Sequence, residues 1–320
     1  MKKLVIIFAG VWVLAFAAAA QKLSSPPAWA YVSRPADYKD PADDGSLHHV
    51  PDSTAGWTFT QLQDFFSAAD WHPGDHPAMP EVVARGRKPE VFACGFCHRA
   101  DGTGGPENAN LTGLPETYIV QQMADFKSGA RKSLTPERRP PTLMIAVAKA
   151  ATDREVASAA AYFSRMKPRK LITVVETDVV PKTHVVGWVL SPVKERDKEP
   201  IGHRIIETPK DVEQFESRDA RSEFIAYVPA GSVAKGAALA KTGGNGKTTQ
   251  CVLCHGPDLK GLGLVPGIAG RSPSYLVRQL YDFQQGKRAG LVAAPMAAVV
   301  SKLDEDDVIS LAAYAASLAP

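Results

Sequence analysis

Cys94-Gly95-Phe96-Cys97-His98 recurs as Cys251-Val252-Leu253-Cys254-His255, and these two copies use all four cysteines of the chain. C-x-x-C-H is the attachment signature of covalently held haem: the two thiols add to the porphyrin vinyl groups, and the adjacent imidazole is placed to reach the iron. A helical turn puts all three groups on one side of the backbone. A zinc ribbon would set its two C-x-x-C halves much closer in sequence. A thioredoxin-like disulfide would sit near a βαβ pattern, which the sequence does not show. Two complete copies with no spare cysteine therefore predict two covalently bound haem c groups.

The two motifs head a repeat. Cys251 lies 157 residues after Cys94, and the segment Tyr118 to Phe126 returns at the same offset as Tyr275 to Phe283. Both segments read as amphipathic helices, with Ile119, Met123 and Phe126 matching Leu276, Leu280 and Phe283. Gly129 and Gly286 mark their ends, and Arg131 and Arg288 follow two residues later. The offset then falls to 152, because the first copy carries five extra residues around Leu134 to Pro140. Beyond them Met144 aligns with Met296, and Tyr162 with Tyr314. A last helix follows in each copy. Thr152 with Glu155 forms a capping box, and Asp304 with Asp307 supplies an N-cap and negative charge in the first turn. The apolar faces are Val156, Ala160 and Phe163 in one copy, and Val308, Ala312 and Ala315 in the other.

This alignment selects the sixth iron ligands. A haem with histidine on one side commonly takes methionine on the other in electron-transfer proteins. Met296 is the only methionine after Met166. In the first copy Met123 aligns with Leu280 and Met166 with Leu318, positions where any hydrophobe suffices. Met144 is the methionine matched between copies. The expected iron ligands are therefore His98 with Met144 and His255 with Met296.

On these residues the chain resembles the class I cytochrome c superfamily, and in particular its two-domain, di-haem periplasmic members of the c-four type. The likeness covers roughly residues 81–168 and 231–320. It rests on C-x-x-C-H, the Tyr-x-x-x-Gln-x-x-x-Phe helix running into Gly-x-Arg, the axial methionine, and a last helix containing Ala-Ala-Tyr. The resemblance implies a mainly α fold of two class I cytochrome c domains that shuttle electrons through His/Met-ligated haems. It also implies a proline carbonyl accepting a hydrogen bond from the proximal histidine, a role that Pro266 fits for His255. The first-copy counterpart is Ala109, whose backbone carbonyl can accept the same bond. Arg131 and Arg288 are candidates to hold haem propionates by bidentate bonds. The competing possibility is a solvated cation just past a helix end.

The rest of the chain falls outside the likeness. Residues 1–20 read as a signal peptide: Lys2-Lys3, an apolar run from Leu4, and Ala18-Ala19-Ala20 before Gln21. A second small-residue site is Ala28-Trp29-Ala30, and an uncleaved run would instead serve as an anchor. Residues 21–80 form an N-terminal arm. Its Asp70-Trp71-His72-Pro73-Gly74-Asp75-His76 stretch reads as a structured turn packed over a domain, with metal binding as the minor alternative. Residues 169–230 form a small β-rich segment joining the two domains. Strand runs are expected at Leu171–Val175, His184–Leu190, His203–Glu207 and Phe224–Val228, with a charged turn from Lys194 to Lys198.

The formal net charge of +3 is too small for a nucleic-acid protein. An export signal and haem attachment agree on a periplasmic location, with membrane contact only through an uncleaved signal segment. The expected function is electron transfer between periplasmic redox partners, such as a dehydrogenase and a terminal oxidase, rather than enzymatic turnover. The alternatives are a cytochrome subunit fixed in a dehydrogenase or oxidase complex, and a di-haem enzyme of the peroxidase or thiosulfate-dehydrogenase type. The last needs one open iron, which two paired methionines do not leave.

Overall fold

The computed structural model describes residues 26–193 and 197–320. The expected signal peptide lies outside these residues, as does most of the charged turn from Lys194 to Lys198.

The first helical group follows the arm. Two single turns, α1 (Phe59–Leu62) and α2 (Glu81–Ala84), precede α3 (Cys94–His98), which carries the first haem motif. Then come α4 (Glu116–Ser128), α5 (Arg139–Ala150) and α6 (Asp153–Ser164). α4 stops where expected: Gly129 takes a left-handed conformation, φ 78°, and returns its N–H to the Phe126 carbonyl. α6 starts with the predicted capping box, Glu155 N–H donating to Thr152 Oγ1 and Thr152 N–H to Glu155 Oε2. Ala160 and Phe163 on α6 are fully buried with Val83, Val91, Ile119 and Met166.

The middle segment is more structured than its sequence suggests. Strands β1 (Ile172–Glu176), β2 (Val179–Pro181), β3 (Thr183–Val186), β4 (Val189–Pro192), β5 (Lys198–Pro200) and β6 (Ile206–Pro209) precede a short helix, α7 (Val212–Glu216), and β7 (Phe224–Val228). The main sheet has the order β1-β7-β6, with β1 parallel and β6 antiparallel to β7. All four predicted runs overlap a strand, His203–Glu207 only at Ile206 and Glu207. The run from His184 to Leu190, however, is a hairpin rather than one strand, because Gly187 at φ 56° reverses the chain between β3 and β4.

The second helical group comprises α8 (Ser232–Thr242), α9 (Val252–His255), α10 (Pro273–Gln284), α11 (Ala294–Val300) and α12 (Glu305–Ser317). α12 begins with the expected Asp304–Asp307 reciprocal cap, and Val308, Ala312 and Ala315 lie in its core. α8 packs against α12 at Gly236. An added Cβ there would collide with the Ser310 carbonyl and stand 2.8 Å from Tyr314 Cβ, so the two backbones can approach this closely only at glycine. The copies differ at their starts: α2 has 4 residues where α8 has 11.

The β segment packs against both groups. Phe224 and Ala226 of β7 share a cluster with Ala316 of α12. Buried Glu207 of β6 accepts from Ser272 Oγ at 2.7 Å and Ser274 N at 3.0 Å, placing an acid at the N-terminus of α10. On the other side Arg218 Nε donates to the Leu62 carbonyl at 2.7 Å, and Trp71 Nε1 to the Ser217 carbonyl at 2.7 Å. The arm is also divided. Val50, Leu62, Ala69 and Trp71 form a cluster of their own. Ala30 and Tyr31 are instead buried with Val277, Tyr281 and Leu311 of the second group. An arm laid over one domain is thus only half of its course.

Candidate haem sites

α3 and α9 present the two motifs in matching form. His98 Nδ1 lies 2.8 Å from the Ala109 carbonyl, and His255 Nδ1 lies 2.8 Å from the Pro266 carbonyl. A carbonyl only accepts, so each Nδ1 carries the proton and each Nε2 keeps its lone pair. Burial lowers the pKa of both imidazoles, which favours the neutral, metal-binding form. Burial also pushes the Cys94 thiol up to about 12 and raises Cys97 and Cys251. Unmodified, these sulfurs would be thiols rather than thiolates, which suits conversion to neutral thioethers.

Both motifs open on one continuous cavity of about 1550 Å3. Single small-molecule pockets run to about 300–1,000 Å3, so this one has room for two large groups. Cys94, Cys97, His98, Cys251, Cys254 and His255 line it, together with Met144 and Met296. Met144 sits inside α5 and Met296 inside α11, each half-buried. Met123 also lines the cavity, whereas Met166 is 6% exposed in the core and does not. Neither His184 nor His203 reaches it. Among the described residues no cluster of His, Cys, Asp and Glu suits a further metal ion, the Asp70–His76 turn included.

Arg131 and Arg288 are not solvated cations. They are 8% and 7% exposed, and they form a reciprocal network across the two copies. Arg131 donates to Gln122 Oε1 (2.8 Å), Tyr275 Oη (2.9 Å) and Gln279 Oε1 (2.8 Å). Arg288 donates to Gln279 Oε1 (3.1 Å), Tyr118 Oη (2.6 Å) and Gln122 Oε1 (2.7 Å). Backbone bonds from Lys132 N to the Lys287 carbonyl and from Ala289 N to the Ala130 carbonyl repeat the exchange. No carboxylate among the described residues comes within ion-pair reach of either guanidinium.

Four more buried arginines line the cavity: Arg99, Arg138, Arg271 and Arg278. They donate mostly to backbone carbonyls: Arg99 to Phe215, Arg138 to Val32, Arg271 to Thr112, and Arg278 to Ala30 and Pro106. Burial, then the charge of Arg278, pulls Arg138 down to about 9, and burial pulls Arg271 down to about 10. The buried carboxylates on the same wall are Glu107 and Asp282. Burial raises Asp282 to about 6, which weakens it as a counterion. Several guanidinium nitrogens, including Arg99 Nη1, Arg138 Nη2 and Arg288 Nε, have no partner. A cavity with this excess of buried cations fits an occupant bearing carboxylates, as the haem propionates do. These four arginines escape sequence reading because the repeat gives them no counterpart: Arg278 aligns with Gln121, Arg271 with Leu114 and Arg99 with Gly256.

No protein-family model matches the chain. Individual relatives do. The chain is 31% identical over 248 residues to cytochrome c4 of Azotobacter vinelandii, covering 75% of this chain and 89% of the relative. It is 25% identical to the thiosulfate dehydrogenase electron acceptor of Thiomonas intermedia, over 72% of this chain and 80% of that one. Among solved structures, cytochrome c4 of Acidithiobacillus ferrooxidans aligns at a TM-score of 0.46 and 21% identity, over 70% of this chain and 98% of the other. The chain belongs to the cytochrome c4 family, as a di-haem c-type cytochrome that carries two covalently bound haem c groups and works in electron transfer.

Proposed function

We propose that the protein accepts electrons from a periplasmic dehydrogenase and passes them on, a terminal oxidase being the candidate acceptor, through two His/Met-ligated haems held in separate cytochrome c domains, residues 81–168 and 231–320. Cys94 with Cys97 and Cys251 with Cys254 form the thioethers. His98 and His255 are the proximal ligands, oriented by the Ala109 and Pro266 carbonyls. Met144 and Met296 would supply the remaining iron ligands. Arg131 and Arg288 neutralise propionates. The bound haems supply the one-electron ferric–ferrous couple. Thioether sulfur favours the ferrous state, and the chain's buried guanidinium groups oppose the added charge of the ferric state, so both raise the potential. Filled sixth positions leave no room for a substrate, which favours a carrier over an enzyme. Export through the N-terminal signal supplies the periplasmic location. Among the described residues no helix is long and apolar enough to cross a membrane.

The observation that carries this proposal is the doubled geometry: two histidines, each with Nδ1 held at 2.8 Å by a carbonyl, on one cavity that both matched methionines line. The relatives named as a thiosulfate dehydrogenase electron acceptor and as a cytochrome subunit of sulfide dehydrogenase favour a dehydrogenase as donor. The test is intact mass of the acid-acetone-extracted protein, followed by potentiometric titration with optical detection. Two retained haems, two one-electron waves and the ferric sulfur-to-iron band are expected. A chain that retains no haem, or a ferric spectrum of one open high-spin iron, would overturn the proposal.

A further inference from the structure

The two haem motifs are equivalent in sequence but not in their surroundings. In the first copy every residue from Arg99 to Glu107 is buried. In the second, the matching stretch from Gly256 to Leu264 is largely open, with Leu262 60% and Leu264 71% exposed. Phe96 is 4% exposed, whereas its counterpart Leu253 is 62% exposed. Cys254 is the exposed member of the four attachment cysteines, while its counterpart Cys97 is half-buried.

The difference comes from the arm and the β segment, which cover only the first motif. Phe65 of the arm stacks on Phe96 at 4.6 Å between ring centroids, and the Arg218 guanidinium lies 3.8 Å from the same ring. Gly95 fits under the arm only because it lacks a side chain, since an added Cβ would stand 2.7 Å from Ala68 Cβ. Val252 occupies that position in the second copy. Thr103 Oγ1 donates to the Ala220 carbonyl, closing the β segment over the following loop. Leu253, Leu262 and Leu291 (90% exposed) do not line the cavity.

We propose that the redox partner docks on the second copy alone, on its exposed apolar residues Leu253, next to the Cys254 attachment, Leu262 and Leu291, and that electrons reach the first haem only from within. This rests on the electron-carrier function above. Electron tunnelling decays steeply with distance, so a partner must come close to a haem, and the first attachment motif is roofed by the chain itself. The fold also shows what suits such a face, since in the first copy it takes the Phe65 ring, the Ala68 methyl and the Arg218 guanidinium laid over Phe96. The exposed charges within four residues of these leucines along the sequence are Lys260 and Lys287 against Asp258, so the occupant is a redox protein with an apolar face and a weakly acidic border. A single electron crosses; one centre is oxidised as the other is reduced, and no bond is made or broken.

The test uses the mature di-haem protein on gold bearing a mixed methyl- and hydroxyl-terminated alkanethiol monolayer, as a surrogate for an apolar partner. The variants are Leu253→Glu/Leu262→Glu/Leu291→Glu and, as an equal-charge control, Leu47→Glu/Val120→Glu/Val179→Glu, exposed apolar positions elsewhere. The leucine triple should slow interfacial electron transfer about tenfold or more while both potentials stay in place, and the control should change it by less than about twofold. Equal effects, or none from the leucine triple, overturn the proposal. Loss of the two waves in the wild type would instead overturn the carrier function. Should the triple fold poorly, Leu291→Glu alone carries the same expectation. Sedimentation provides the last arm: a wild-type dimer that the leucine triple dissociates would make the occupant a second copy and refute the partner assignment.

Discussion

Gln122→Leu should destabilise the protein far more than the loss of a neutral side chain suggests, because Gln122 is buried. Gln122 Oε1 accepts from Arg131 Nη1 at 2.8 Å and from Arg288 Nη2 at 2.7 Å. Leucine nearly preserves the volume and removes both acceptors. Arg131 Nη1 then loses its one acceptor, while Arg288 Nη2 keeps the Tyr118 hydroxyl at 2.6 Å. Hydrogen bonds to charged groups contribute about 1.5–3 kcal/mol, and a buried donor left unpaired costs its desolvation in full, so one complete and one partial loss predict about 2–4 kcal/mol. Gln279→Leu should cost the same, because Arg288 Nη1 and Arg131 Nη2 stand in the mirrored relation. The double variant should exceed the two single costs together by about 1 kcal/mol, since each arginine then keeps only one tyrosine hydroxyl, Tyr275 for Arg131 and Tyr118 for Arg288. The assay is equilibrium guanidinium unfolding of the mature holoprotein. Single-variant costs below about 0.5 kcal/mol, or strict additivity, would refute the shared-acceptor account.

Met296→Ala should abolish the ferric sulfur-to-iron band of the second haem and lower its potential, and Met144→Ala should do the same for the first. Met123→Leu should retain both bands at a cost under about 1.5 kcal/mol, and loss of the first-haem band in that variant would reverse the assignment. Gly236→Ala should cost about 3 kcal/mol or more by forcing α8 from α12, read as a fall in thermal midpoint with haem content unchanged. His76 has its pKa raised by the Asp70 hydrogen bond, so the stabilisation from this pair is complete below about pH 6.5 and fades as pH rises through the folded pKa. The midpoint difference between wild type and Asp70→Asn should therefore be largest near pH 5–6 and shrink towards pH 8; a difference that grows with pH would contradict it.

The chemistry was legible because it repeats. C-x-x-C-H, the helix ending at glycine, the arginine two residues on and the capped last helix each occur twice, so every position had an internal control. The strand runs in the middle segment were visible from their β-branched residues, but the hairpin at Gly187 was not, because one glycine within an apolar run looks like an interruption rather than a reversal. The buried arginines were illegible for a different reason. A guanidinium that donates to backbone carbonyls leaves no partner signature in the sequence, and Arg138 lies in the very residues that the second copy lacks. The insertion of Ala30 and Tyr31 into the second group's core was equally hidden, since nothing local distinguishes an arm that covers a domain from one that enters it.

What the repeat shares and what it does not share divide the work between them. The shared residues build two similar redox centres and, through Arg131 and Arg288, join them by a network in which each copy satisfies the other's cation. Two equal centres would give electrons no preferred direction. The unshared residues break that equality. The arm and the β segment enclose the first motif with Phe65, Arg218 and the buried loop from Arg99 to Glu107, and leave the second motif in contact with solvent. On the carrier function proposed above, burial disfavours the added ferric charge, so the enclosed first haem is expected to have the higher potential of the two, which the potentiometric titration reads directly. The additions that have no counterpart in the repeat thus do more than decorate the fold: they give two attachment motifs of equal sequence unequal surroundings.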